Sequence, residues 1–263
     1  MTLRWSVALL VVVMMAVGQA QAPLTTKVAG AGGALIITAL GHGSVQIEHG
    51  GRVVLVDPVS MFADLSKAKP ADLILVTDIH PDHYDAAAVA KLRKPKAPVV
   101  VPPAVAADKK IPDAIVMTNR QMFTNEQAPA GITVISVPAY NIQRGPSPGQ
   151  FYHPQGRGQG YVVAFSSQLA DVRTGKASQV YVAGDTECVP AMAQWVKNVD
   201  VAIMPMNLPY TMTPAEAAEC VKGFRPKVAI PYHYMGQKPE EFVAALKGLP
   251  IEVRLLNWYA GAK

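Results

Sequence analysis

Cysteine is nearly missing from this 263-residue chain, which has only Cys188 and Cys220. No cysteine stands near Ala22, so the acceptor that lipoprotein processing needs is absent there. Neither thiol has an evident partner base, and no Gly-x-Ser-x-Gly elbow occurs, which disfavours chemistry through an acyl-enzyme. The two cysteines are expected as separate buried thiols, although an oxidising compartment would permit a bridge. Long apolar runs are also missing. The one at 7–17 is shorter than the roughly 18 to 20 residues of a spanning helix, so no membrane span is expected in the mature chain. Aromatics are absent around the basic cluster Lys91, Arg93, Lys94 and Lys96, which therefore reads as a solvated helix end and not as a nucleic-acid site.

What the N-terminus does have is a basic start at Arg4, the short apolar run, and small residues Ala20 and Ala22 around Gln21. This order predicts a signal peptide over 1–22 and export to a periplasm or the exterior, with a retained anchor as the alternative. Residues 23–263 fit one domain. The formal charge of +5 falls to +4 without Arg4, the only charged side chain before residue 23, and such a mild excess selects no partner.

Short β-branched runs at 34–40, 44–49, 52–56 and 73–77 are separated by glycines and read as strands. Asp85 opens a capped helix, after which 99–101, 114–117 and 132–137 resume the strand pattern. In the second half, strands are predicted at 161–165, 180–183, 201–204 and 228–230, with helices at 190–196, 213–224 and 239–249. Thr213, Pro214 and Glu216 form a complete helix-start signal. Two halves of similar content predict an α/β protein with sheets packed face to face and helices outside. No repeat is visible.

Chemistry concentrates in Thr77-Asp78-Ile79-His80-Pro81-Asp82-His83-Tyr84-Asp85, where a continuously apolar strand ends and Asp78, His80, Asp82 and His83 appear within six positions. Two carboxylates and two imidazoles at a buried strand end would cost several kcal/mol of desolvation unless compensated. A divalent cation is the natural compensation, and nitrogen and oxygen donors together suit zinc, manganese or iron. Asp185 and His233 each follow another apolar strand directly. Groups at consecutive strand ends converge on one edge of a sheet.

These segments resemble the His-x-His-x-Asp-His signature of the metallo-β-lactamase superfamily, its Gly-Asp strand end and its C-terminal histidine. Gly41-His42-Gly43-Ser44, Asp57-Pro58, Ala183-Gly184-Asp185-Thr186 and Pro231-Tyr232-His233 are similar to the branch that contains ascorbate-6-phosphate lactonase and related metal-dependent hydrolases. The resemblance implies a four-layer αββα sandwich. It implies metal ligation by Asp78, His80, Asp82, His83, Asp185 and His233, with Asp185 bridging two ions and Asp82 or Asp185 holding the attacking water. Asp78 stands where the pattern has histidine, and Asn141 where a later histidine is expected. One or two ions (zinc, manganese or iron) are therefore expected, with two slightly favoured. His153 is a candidate replacement ligand, His42 a candidate support of the ligands, and Arg144, Asn207 and Tyr210 candidate walls of the substrate pocket. The glycine-rich 156–160 segment lacks the ending of a phosphate loop and reads as a flexible hairpin, and His49 as hairpin surface.

The expected activity is hydrolysis of a small-molecule ester, lactone or phosphodiester by metal-activated water. The rival is a metal-binding or sensing protein on the same fold without turnover. β-Lactamase activity is disfavoured by the altered first site.

Overall fold

A computed structural model describes residues 22–124 and 128–260, so the expected signal segment lies outside the described residues apart from Ala22. The first half builds one mixed sheet in chain order: β1 (Thr25–Gly30), β2 (Gly33–Gly41), β3 (Ser44–His49), β4 (Arg52–Val56), β5 (Leu73–Leu75), β6 (Val99–Val101) and β7 (Ile115–Val116). The second half builds another from β8 (Met122–Phe123), β9 (Thr133–Ala139), β10 (Gly158–Phe165), β11 (Ser178–Val182), β12 (Val201–Pro205), β13 (Val228–Tyr232) and β14 (Glu252–Val253). The first four strands of each sheet pair antiparallel and the last four parallel, with the fourth strand in both sets.

Side-chain alternation divides each strand between two layers. Leu73 and Leu75 enter the central core between the sheets together with Val201, Ile203, Val228 and Ile230. Ile74 and Val76 face the other way, toward α1 (Ala86–Leu92) and α2 (Pro103–Ala107). Ala202, Met204 and Ala229 likewise turn outward, toward α4 (Pro190–Trp195), α5 (Pro214–Phe224) and α6 (Pro239–Leu246), while α3 (Leu169–Thr174) links β10 to β11. The result is the expected αββα sandwich. The Thr213 hydroxyl accepts from Glu216 N at 3.1 Å and the Glu216 carboxylate accepts from Thr213 N at 2.7 Å, which closes the start of α5. The strands β1, β8 and β14 and the helices α2 and α3 went unpredicted because each is two to six residues long and carries little apolar periodicity.

Three expectations are corrected. His49 is buried, with Nδ1 3.2 Å from Ala34 O and its ring against Phe165, because the β1–β2 hairpin and β10 cover it. Of the glycine-rich segment, residues 156–157 stand in a turn and 158–160 open β10: a Cβ on Gly160 would lie 2.5 Å from Ala183 O, so glycine there permits close approach of β11. Cys188 and Cys220 are joined in a disulfide with Cα atoms 5.5 Å apart, tying the loop after β11 to α5. The bridge spans 32 positions of sequence, which sequence spacing alone could not reveal. Its reduction, or replacement of both cysteines by serine, is expected to lower stability by about 2–4 kcal/mol. Thermal unfolding with and without a dithiol reductant measures this, and an unchanged melting temperature would argue against the bridge.

Candidate metal centre

The site lies where strands of both sheets end on one edge. Asp57 follows β4, residues 78–83 follow β5, Asp185 follows β11, Asn207 follows β12 and His233 follows β13. The turn between β2 and β3 adds His42, and Gly43 in that turn packs under the imidazoles: a Cβ there would lie 3.4 Å from both His83 Cε1 and His233 Cδ2.

Asp82, His83, Asp185 and His233 form one group of mutually close donors. Asp82 Oδ2 lies 3.2 Å from His233 Nε2 and 3.9 Å from His83 Nε2. Asp185 Oδ1 lies 3.4 Å from His83 Nε2 and 3.6 Å from His233 Nε2. Four donors each about 2.0–2.1 Å from a tetrahedral ion stand roughly 3.3 Å from one another. The spacing therefore suits a divalent ion. Two of the buried donors, His83 Nε2 and Asp185 Oδ1, have no hydrogen-bond partner. Burying such atoms unpaired costs about 1–3 kcal/mol each, and a ligated ion would remove that cost.

Burial opposes charge on His83, but Asp185 and Asp57 on its two sides prevail and raise its pKa well above the ordinary imidazole value. Asp185 responds in the opposite sense. Burial opposes its charge, yet His233 and His83 hold its carboxyl well below the usual carboxylate range. For Asp82 the hydrogen bonds from His233 and His42 likewise outweigh burial and depress the pKa.

Supporting contacts fix the rings. His83 Nδ1 donates to Asp57 Oδ2 at 2.7 Å, and Asp57 is held by Thr77 N at 2.7 Å and by the Thr77 hydroxyl. A carboxylate behind an imidazole fixes its tautomer and leaves the other nitrogen free to ligate. Asp57 was part of the resemblance but had no assigned role; its signal was a lone carboxylate ending an apolar strand. Asn207 Nδ2 lies 3.4 Å from His233 Nδ1. His42 reaches Asp82 at 3.4 Å and the Tyr259 hydroxyl at 3.0 Å, with its ring centroid 3.8 Å from that of His233.

Asp78, His80 and His153 form a second group. His80 Nδ1 lies 3.0 Å from Asp78 Oδ2, and His153 Nε2 lies 4.0 Å from the same oxygen and 3.2 Å from Asp185 Oδ2. The two oxygens of Asp185 thus face the two groups, the arrangement a bridging carboxylate requires. Asn141 is not among the grouped donors. Its Oδ1 accepts from His153 N at 2.7 Å and faces His153 Nδ1 at 2.8 Å, so the amide positions the histidine that stands in the second group.

Arg144 is corrected from pocket wall to framework: its guanidinium pairs with Glu187 at 3.1 Å and Glu216 at 2.7 Å. Glu187, missed in the sequence, is buried and accepts from the backbone of Ile142, Gln143 and Arg144, each at 2.8 Å. Tyr210 contributes its carbonyl, which accepts from Asn141 Nδ2 at 2.8 Å, while its exposed ring meets Tyr152 edge-on. Arg157, which the sequence leaves between an anion binder and a solvated loop residue, donates from Nη2 to Asp78 Oδ2 at 3.2 Å. In the basic cluster, Arg93 pairs with Asp113 and Lys94 with Asp72.

Residues 36–233 match the profile of the beta-lactamase superfamily domain. The chain is 31% identical over 231 residues to a UPF0173 metal-dependent hydrolase of Thermococcus kodakarensis, covering 83% of this chain and 94% of that protein. A second UPF0173 metal-dependent hydrolase, from Aeropyrum pernix, is 32% identical over 249 residues, covering 84% and 94%. The crystal structure of a Parabacteroides distasonis protein assigned as a metal-dependent hydrolase superposes with a TM-score of 0.75 at 34% identity, covering 89% and 99% of the two chains. In sequence, fold and the grouping of its buried donors, the chain belongs to the metallo-β-lactamase superfamily.

Proposed function

We propose that this chain, a metal-dependent hydrolase by family, cleaves a small ester, lactone or phosphodiester with metal-activated water, and that it acts after export. The observation that carries the reading is the pair of buried, unpartnered donors His83 Nε2 and Asp185 Oδ1 inside a four-donor group of tetrahedral spacing. A divalent ion held by Asp82, His83, Asp185 and His233 would supply a water acidic enough to ionise near neutral pH and would polarise the oxygen under attack. Zinc, manganese and iron all accept such a donor set.

The chain's own residues prepare the rest. Asp57 and Asn207 hold His83 and His233 in place, so the donor geometry exists before substrate arrives. Asp82 is the open side of the group, its side chain 27% exposed, and His233 and His42 keep it ionised. Asp82 or Asp185 would hold the attacking water and accept its proton. Among the described residues no cysteine stands with the grouped donors, and Cys188 is engaged with Cys220. The Tyr152 and Tyr210 rings, 5.0 Å apart beside the hydrogen bond from Asn141 Nδ2 to the Tyr210 carbonyl, offer an apolar rim for a small organic substrate.

Export is supported by the order of basic, apolar and small residues in 1–22 and by the Cys188–Cys220 bridge, which an oxidising compartment maintains. Among the described residues no helix is long and apolar enough to cross a membrane. Amino-terminal sequencing of protein from the native host is expected to begin at Pro23; an intact Met1 in the purified protein would contradict processing.

His83→Ala and Asp185→Ala are each expected to abolish metal binding and to reduce turnover of chromogenic ester, lactone and phosphodiester substrates at least 100-fold. Full activity in either variant would refute the site. Metal retained by the unaltered protein without turnover on any of these substrates would favour the binding or sensing reading. Asp57→Ala is expected to weaken metal affinity about 10–100-fold while the fold persists, with partial recovery in Asp57→Asn. Titration of the metal-free protein, checked by circular dichroism, measures this.

A further inference from the structure

The two donor groups differ in how their atoms are satisfied. In the group of Asp82, His83, Asp185 and His233, two buried donors lack partners. In the group of Asp78, His80 and His153, the Asp78 carboxylate and the His80 ring are already engaged. Asp78 Oδ1 accepts from Ile79 N at 2.8 Å, and Asp78 Oδ2 lies 3.0 Å from His80 Nδ1. His153 lies between Asn141 Oδ1 at 2.8 Å and Asp185 Oδ2 at 3.2 Å. The cation of this group is Arg157, whose Nη2 is 3.2 Å from Asp78 Oδ2 and 3.0 Å from His80 Nε2.

We propose that the Arg157 guanidinium is the built-in cation of the Asp78, His80 and His153 group, so that the protein binds one divalent ion per chain and holds it at Asp82, His83, Asp185 and His233. The proposal rests on the metal reading of that four-residue group and adds the stoichiometry and the occupant of its neighbour.

Space and charge both argue for it. A metal would need Asp78 and His80 donors at about 2.0–2.2 Å, and Nη2 already stands within hydrogen-bond distance of both. A guanidinium does not surrender its proton to make way for an ion, unlike an imidazolium, and two cations sharing the same donors repel. The arginine is also anchored. Its Nη2 donates to Tyr152 O at 2.6 Å, its backbone N donates to Pro154 O at 3.2 Å, and β10 begins at the following residue. Its side chain is only 26% exposed, and swinging out to solvent would give up the contacts of Nη2 with Asp78, His80 and Tyr152. A carboxylate at position 78 suits this occupant, since guanidinium–carboxylate hydrogen bonds are charge-assisted and a second imidazole would offer less. A fixed positive charge then stands beside the single ion, where a substrate oxygen gains negative charge during attack.

The test is metal counting on the full chain, made independent of turnover. Protein stripped with chelator, reloaded with excess manganese and passed through a desalting column is expected to hold about one equivalent by elemental analysis. Its electron paramagnetic resonance spectrum should show uncoupled Mn(II). Two equivalents with exchange-coupled spins would overturn the proposal and leave the hydrolase reading standing, whereas no retained metal would overturn both. Arg157→Met is expected to gain a second equivalent and the coupled signal, and Arg157→Lys to stay near one. If Arg157→Met folds and still takes only one, Arg157 is not what keeps the second ion out. Should that variant fail to fold, the count and spectrum of the unaltered protein decide.

Discussion

Burial of charge at the ends of apolar strands is the constraint on which the site depends. Asp57, His83, Asp185 and His233 are withdrawn from water, where each ionised group costs several kcal/mol unless it is paired. Strand register arranges the pairing. Val56 lies opposite Leu75 in the parallel β4–β5 ladder, so the residues just beyond, Asp57 and Thr77, meet, and the threonine supplies both its N–H and its hydroxyl. The remaining acceptor capacity of Asp57 goes to His83 Nδ1. One carboxylate thereby finds all its partners within the first sheet and directs an imidazole outward. What stays unsatisfied is the outward nitrogen of His83 and one oxygen of Asp185, which is the part an ion would complete.

Neither sheet makes the site alone. The first contributes residues 57 and 78–83 and the second contributes Asp185, Asn207 and His233, so the donors meet only because the shared core of Leu73, Leu75, Val201, Ile203 and Ile230 holds the two sheets face to face. Asp185 is the joint. Its Oδ1 faces His83 and His233, and its Oδ2 faces His153. Displacing β11 would disturb both groups at once, which explains why glycine at 160 is needed to let β10 lie so close to it.

Most of this was legible from one rule, that polar residues directly after apolar strands converge. The rule found Asp78, His80, Asp82, His83, Asp185 and His233 because strand periodicity and strand ends are local signals. It failed where position depends on contacts distant in sequence. Asn141 stands at the place where a ligand was sought, but the chain turns back so that His153 enters and Asn141 supports it. Arg144 carries the charge of a substrate binder and is consumed by Glu187 and Glu216, 43 and 72 positions away. His49 sits next to two turn glycines, which suggested exposure, yet the neighbouring hairpin and Phe165 cover it. The bridge between Cys188 and Cys220 lies beyond the sequence signal, since spacing holds no information about Cα separation.

The segment between β9 and β10 shows why sequence pattern is weakest where chemistry is most variable. It has no apolar period, so its shape must come from outside itself. Buried Glu187 gathers three successive N–H groups of residues 142–144, and the adjacent Cys188 is tied to α5. Asn141 and the Tyr210 carbonyl then fix the start of the loop, and its end delivers His153 and Arg157 to the Asp78 group. The Asp82, His83, Asp185 and His233 group is built from strand ends, whereas its neighbour joins the strand-end residues Asp78 and His80 to His153 and Arg157 from a loop held by a few polar contacts. In this architecture the occupant of the second group can change by substitution in the loop while the strand-end donors stay as they are.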